Sequence, residues 1–118
     1  MLTLVLGASE KSDRYSNMAI RSLKSHGHDV LAVGLRSGSV DGVQIQTGTP
    51  SFTAVDTLTL YLSPANQRPL YEYMLALSPR RVIFNPGTEN PELEEMLTRK
   101  GILPVEACTL VLLSTGQY

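Results

Sequence analysis

The sequence predicts an α/β domain built on one mostly parallel, five-stranded sheet with helices on both faces. Three observations carry this. Short apolar runs alternate with stretches of helical periodicity along the whole chain. Each apolar run stops at a turn rich in Gly, Ser, Asn or Pro. At 118 residues the chain is long enough for one core, residues 1–118 as a single domain, but too short for a separate substrate domain. Strands that alternate with helices at this spacing pair in parallel through right-handed crossovers.

Leu2, Leu4, Val5 and Leu6 form the first buried strand, ended by Gly7. Beyond a polar loop, Tyr15, Ala19, Ile20 and Leu23 mark the inner face of a helix with Asp13 or Ser16 as N-cap, ending near His26 with Gly27 as its left-handed terminator. His26 and His28 read as a C-terminal charge and a solvated turn residue rather than as metal ligands or acid–base groups. Val30 to Val33 make the second strand, followed by Gly34 to Gly38. The alternation of Val43 and Ile45 with Gln44 and Gln46 predicts a short half-exposed strand flanking the sheet.

Thr57 to Leu62 is the third central strand, broken by Ser63-Pro64. Asn66 is the expected cap of a helix carrying Leu70, Tyr73, Met74 and Leu77, with Pro69 in its first turn. Arg81 to Asn85 is the fourth strand, ended by Pro86-Gly87-Thr88. Asn90, Pro91 and the glutamates at 92, 94 and 95 start a helix that Arg99, Lys100 and Gly101 close, with Leu93, Met96 and Leu97 inward. Ile102 to Val105 is the fifth strand, and Thr109 to Leu113 is read as a short closing helix.

A net charge of -1, with 10 basic and 11 acidic residues intermixed, marks neither a nucleic-acid nor a membrane surface. The single cysteine, Cys108, rules out an internal disulfide, and no signal-peptide pattern opens the chain, so a cytoplasmic protein is expected. Cys108 has no base paired with it in the sequence and reads as a core residue.

In such a fold the ligand sits outside the carboxyl ends of the strands, where strand order reverses. Four turns converge there: Gly7 to Ser16, Gly34 to Gly38, Ser63 to Gln67 and Asn85 to Glu89. A glycine turn entering a helix N-terminus aims backbone N–H groups and the positive end of the helix dipole at one point, an arrangement that suits phosphate. Gly7 is the first glycine of the dinucleotide pattern G-x-G-x-x-G, and the other two are absent. No acid follows the second strand before Asp41. Arg36, the charge available there, suits a phosphorylated ribose or is a solvated turn residue.

The GAS turn at Gly7 to Ser9, the K-x-x-R-Y-S of Lys11 to Ser16, HGHDVLAVG at His26 to Gly34 and NPGTENPELEEM from Asn85 resemble the small stand-alone CoA-binding domain proteins. That family is similar to the nucleotide domain of the succinyl-CoA synthetase α subunit. The resemblance runs over nearly the whole chain and implies a Rossmann-like fold that binds CoA or acyl-CoA. It implies that Gly7, Ala8, Ser9, Lys11, Arg14, Tyr15 and Ser16 contact phosphates and pantetheine, with Arg36 after the second strand. Tyr61 to Ala65 and Asn85 to Thr88 match its third and fourth strand-end turns, with Ser63, Pro64, Asn85, Pro86, Gly87 and Thr88 as the site residues they imply. The chain departs from the family in AVGLRSG at 32–38, in Asn85-Pro86-Gly87, and in the apolar Leu110 to Leu113, which if exposed would be an association surface.

Without a nucleophile–base pair or metal cluster in the sequence, the leading expectation is a CoA-binding module with no catalytic activity of its own. The alternatives are a small NADP-binding oxidoreductase and a regulatory module that has lost its ligand. The partner expected is a small-molecule nucleotide, with a second protein or a further copy of the chain as an additional candidate.

Overall fold

The computed structural model describes residues 2–118. Strand β1 (Leu2–Ala8) is central and buried on both sides. Leu4 and Leu6 face one side and Val5 and Ala8 the other, with Ala8 brought onto the face of Val5 by a register shift between Leu6 and Ala8. The other strands are β2 (Asp29–Gly34), β3 (Gly38–Val40), β4 (Val43–Gln46), β5 (Thr57–Leu60), β6 (Arg81–Phe84) and β7 (Leu103–Glu106). They form one seven-stranded sheet in the order β3-β4-β2-β1-β5-β6-β7. Every pairing is parallel except β3 with β4.

The five expected strands are β1, β2, β5, β6 and β7, so the five-stranded count falls short by two. The flanking strand at 43–46 joins the sheet beside β2, and β3 adds an antiparallel edge through a hairpin at Asp41-Gly42. Both turn residues have positive φ, 49° and 80°, the geometry Asp-Gly favours in a two-residue hairpin.

Helices cover both faces. On one, Leu4, Leu6, Leu58, Leu60, Val82 and Phe84 pack against Met74 of α3 (Tyr71–Leu77) and Leu93 and Leu97 of α4 (Pro91–Arg99). On the other, Val5, Ala32 and Ile45 meet Ile20 and Leu23 of α1 (Tyr15–Ser25) and Leu113 of α5 (Thr109–Ser114). A short α2 (Pro64–Gln67) precedes α3. Within the closing helix Leu113 is buried and Val111 is 54% exposed, so the 110–113 run is split between core and surface.

The helix starts differ from expectation at two places. Arg14, rather than Asp13 or Ser16, is the N-cap of α1; its guanidinium cannot accept from helix N–H groups, so no side chain caps the helix, and Ser16 is already buried in the first turn. The helix expected from Asn66 begins at Pro64, with Ser63 in the N-cap position but making no side-chain cap bond: proline is suited to a first helical position, where its missing N–H has no partner to lose. Pro69 then breaks the run, leaving a 3₁₀ turn at Arg68–Leu70 before α3. Asn90 caps α4 as expected, its Oδ1 accepting from Leu93 N–H at 3.2 Å.

Gly27 and Gly101 close α1 and α4 in the left-handed region. In each case the next N–H reaches back into the last turn, His28 to Leu23 O at 3.1 Å and Ile102 to Leu97 O at 2.9 Å. His28 is not the solvated residue expected: it is half-buried and packs on Tyr118 with ring centroids 4.8 Å apart. Its pKa is lowered chiefly by burial.

Candidate functional site: a cleft at the strand switch point

Strand order reverses beside β1, with β2 on one side and β5 on the other, and a cleft opens at the carboxyl ends of these strands. Its volume is about 750 Å³, within the range of small-molecule sites. The turn after β1 and the turn after β2 make one wall, and the turns after β5 and β6 make the other.

The sharp exit from β1 depends on Gly7. Its φ is +98°, and an added Cβ would lie 2.9 Å from the Tyr61 carbonyl carbon and oxygen. The glycine is therefore required by the neighbouring strand end in addition to any ligand. Across the sheet, a Cβ on Gly34 would fall 2.3 Å from Ala8 O, so this glycine lets the first two strand ends approach.

The loop between β1 and α1 is braced from the helix. Asn17 Nδ2 donates to Ser9 O at 3.0 Å, and Arg21 donates to Asn17 Oδ1 at 2.8 Å and to Ser12 O at 3.3 Å. Lys11 N–H donates to Ser9 Oγ at 3.1 Å. This brace leaves the N–H groups of Tyr15, Ser16 and Asn17 without an acceptor among the described residues, as expected at an uncapped helix start. Lys11, Arg14 and Arg36 are exposed and make no side-chain hydrogen bond or ion pair among the described residues, whereas Arg68, Arg80 and Arg99 all pair with acids elsewhere. Three cations outside any ion pair among the described residues thus share one cleft with free helix N–H groups.

The opposite wall is held by buried polar side chains. Gln67, fully buried, donates to Leu62 O and Thr88 O, both at 2.8 Å, and accepts from Asn90, tying the two turns together. Tyr61 closes the floor. Its hydroxyl is buried without a hydrogen-bond partner among the described residues, although the Thr59 and Thr109 hydroxyls, bonded to each other at 2.8 Å, lie beside it. Burial pushes its pKa up to about 12.

Of the residues singled out in the sequence, Gly7, Ala8, Ser9, Lys11, Arg14, Tyr15, Ser16, Arg36, Ser63, Pro86, Gly87 and Thr88 line this cleft. Pro64 and Asn85 do not. Pro64 opens α2, and Asn85 is buried beneath the turn, donating to Thr59 Oγ1 at 2.7 Å and Leu60 O at 2.9 Å while accepting from Thr109 N–H at 2.9 Å. Asn85 joins β5, β6 and α5. Glu10, Leu35, Ser37, Tyr61, Leu62 and Asn66, which lie in the expected turns without being singled out as site residues, also line the cleft, and Asn17, Arg21 and Gln67 support it.

A family model described as CoA binding domain matches residues 2–114. The chain belongs to this CoA-binding domain family. No curated protein matches the sequence. Among solved structures, it is similar to an uncharacterized protein known from a crystal structure, with 52% identity, a TM-score of 0.97, and coverage of 99% of this chain and 97% of that one. Cell-free ID.343 from Thermus thermophilus shares the fold at 23% identity and a TM-score of 0.87, covering 99% of this chain and 90% of its own. So does a dinucleotide-forming acetyl-coenzyme A synthetase 1 from Ca. Korarchaeum cryptofilum, at 18% identity and a TM-score of 0.69. That match covers 92% of this chain and 25% of the synthetase.

Proposed function

We propose that this CoA-binding domain binds CoA or a short acyl-CoA in the cleft and has no turnover of its own. The observation that carries the reading is the meeting of Lys11, Arg14 and Arg36, none of them in an ion pair among the described residues, with the free N–H groups at the start of α1. A polyanion with separated phosphates satisfies both features. The pyrophosphate belongs against Ser9 to Ser16, the 3′-phosphate near Arg36, and the pantetheine along Tyr61 to Ser63 and Pro86 to Thr88.

The arrangement offers binding groups rather than reacting ones. Cys108 is half-buried and lies outside the cleft wall, and the protonated Tyr61 hydroxyl is enclosed beneath it. Neither is paired with a base among the described residues.

Calorimetric titration of CoA and dephospho-CoA into the native protein and Arg36→Ala tests the reading. A charge-assisted bond to an exposed phosphate contributes about 1.5–3 kcal/mol before screening, so the native protein should prefer CoA by roughly ten- to a hundredfold at low salt. Arg36→Ala should lose that preference and keep its affinity for dephospho-CoA. Absence of saturable CoA binding, or tighter binding of NADP than of CoA, would replace this reading with one of the alternatives.

A further inference from the structure

Strand β2 ends in Gly34-Leu35-Arg36 with no acid, yet a carboxylate stands at its end. Glu10, on the loop after β1, reaches across the cleft mouth, and its Oε2 accepts the Ser39 backbone N–H at 2.9 Å. The side chain lies flat against Gly38: a Cβ there would come within 2.2 Å of Glu10 Cδ and 2.5 Å of Oε1. The carboxylate is thus fixed by its bond to β3 and by the space that Gly38 leaves. It shares the wall with Leu35, Arg36 and Ser37. In dinucleotide-binding sheets this position, at the carboxyl end of the second strand, is where an acidic side chain accepts hydrogen bonds from ribose hydroxyls.

We infer that Glu10 is a specificity-determining residue that accepts from a free ribose 2′-hydroxyl and excludes ligands phosphorylated at that position. The inference rests on reading the cleft as a nucleotide site. Anchored at Ser39, the carboxylate cannot swing away without losing its backbone bond, so a 2′-phosphate would meet a fixed like charge. A 3′-phosphate leaves the 2′-hydroxyl free to donate and is left to the unpaired Arg36. The acid missing from the end of β2 is supplied by a different loop.

Adenosine 3′,5′-bisphosphate and adenosine 2′,5′-bisphosphate test this directly, because they carry equal charge and differ only in the ribose position esterified. The native protein should bind the 3′,5′ isomer more than tenfold more tightly: Glu10 supplies about tenfold, the size of one hydrogen bond to a charged group, and Arg36 the rest. Glu10→Gln keeps an oxygen for Ser39 N–H and removes the charge. Gly38→Ala leaves Glu10 in the chain but displaces its side chain, at a position where φ is not in the left-handed region. Both variants should lower the native preference for the 3′,5′ isomer about tenfold, leaving the part that Arg36 contributes, while melting close to the native protein. Equal affinity of the isomers for the native protein, an unchanged preference in both variants, or binding of neither isomer would overturn the inference. CoA titrated in parallel reports on the parent reading: CoA binding with no isomer selectivity sinks the role of Glu10 alone, and no CoA binding sinks the CoA assignment.

Discussion

Replacing Gly7 by alanine separates what the chain requires at this turn from what a ligand requires. Two costs combine. An L-residue held at φ +98° is strained by about 1–2 kcal/mol. The new Cβ also sits 2.9 Å from the Tyr61 backbone, in a floor that cannot retreat because Tyr61 N–H donates to Leu6 O at 2.9 Å. Overpacking against fixed backbone typically costs about 1–3 kcal/mol. Gly7→Ala should therefore destabilise the fold by about 2–5 kcal/mol, or roughly 8–20 °C in Tm for a domain of this size. Gly87→Ala is the matched control, with a φ of +91° and nothing within 4 Å of the added Cβ, so it should show only the strain. Urea unfolding of both variants in the absence of ligand measures the difference. Equal losses at the two positions would refute the account of Gly7 as a residue that the β5 end requires.

Asn85→Ala should cost about 2–4 kcal/mol in chemical denaturation, because it leaves Leu60 O and Thr109 N–H buried without their partners. Tyr61→Phe should leave stability unchanged or slightly raised, since the lost hydroxyl has no hydrogen-bond partner among the described residues, and a clear loss in Tm would reveal a missed partner. The hydrogen bond from Arg80 holds the Asp56 carboxyl below its ordinary value, so that pair contributes above about pH 4 and is lost as pH falls through the folded value. Asp56→Asn should abolish this part of the acid dependence at a cost of less than about 1 kcal/mol at neutral pH. Glu94 titrates above its ordinary value through burial and the nearby Glu106. Glu94→Gln should thus raise Tm at pH 7, with the gain disappearing as the native carboxyl protonates in acid.

The sheet was legible wherever a strand is buried on both faces, because such strands read as unbroken apolar runs: Leu4 to Leu6 and Val82 to Phe84 are examples. The α4 cap was legible because Asn90-Pro91 and the glutamates that follow state their roles locally. Strand β3 is three residues long and was missed, although Asp41-Gly42 between Val40 and Val43 is a hairpin signal that could have found it. Glycines and cations of the cleft are visible in sequence because strand-end turns converge by topology. Glu10 and Gln67 were not, because their roles depend on contacts to Ser39 and Thr88, 29 and 21 residues away. The turn places Asn85 in the cleft wall by sequence position, but its side chain folds under the sheet end to meet α5.

The most direct test of the cleft as a CoA site is a titration of ¹⁵N-labelled protein with CoA, followed amide by amide by NMR. Saturable shifts should cluster at Gly7 to Ser16, Leu35 to Ser37, Leu62 to Ser63 and Gly87 to Thr88, leaving the β7 edge at Leu103–Glu106 unmoved. Saturable shifts centred on that edge, or none anywhere at millimolar CoA, would contradict the account.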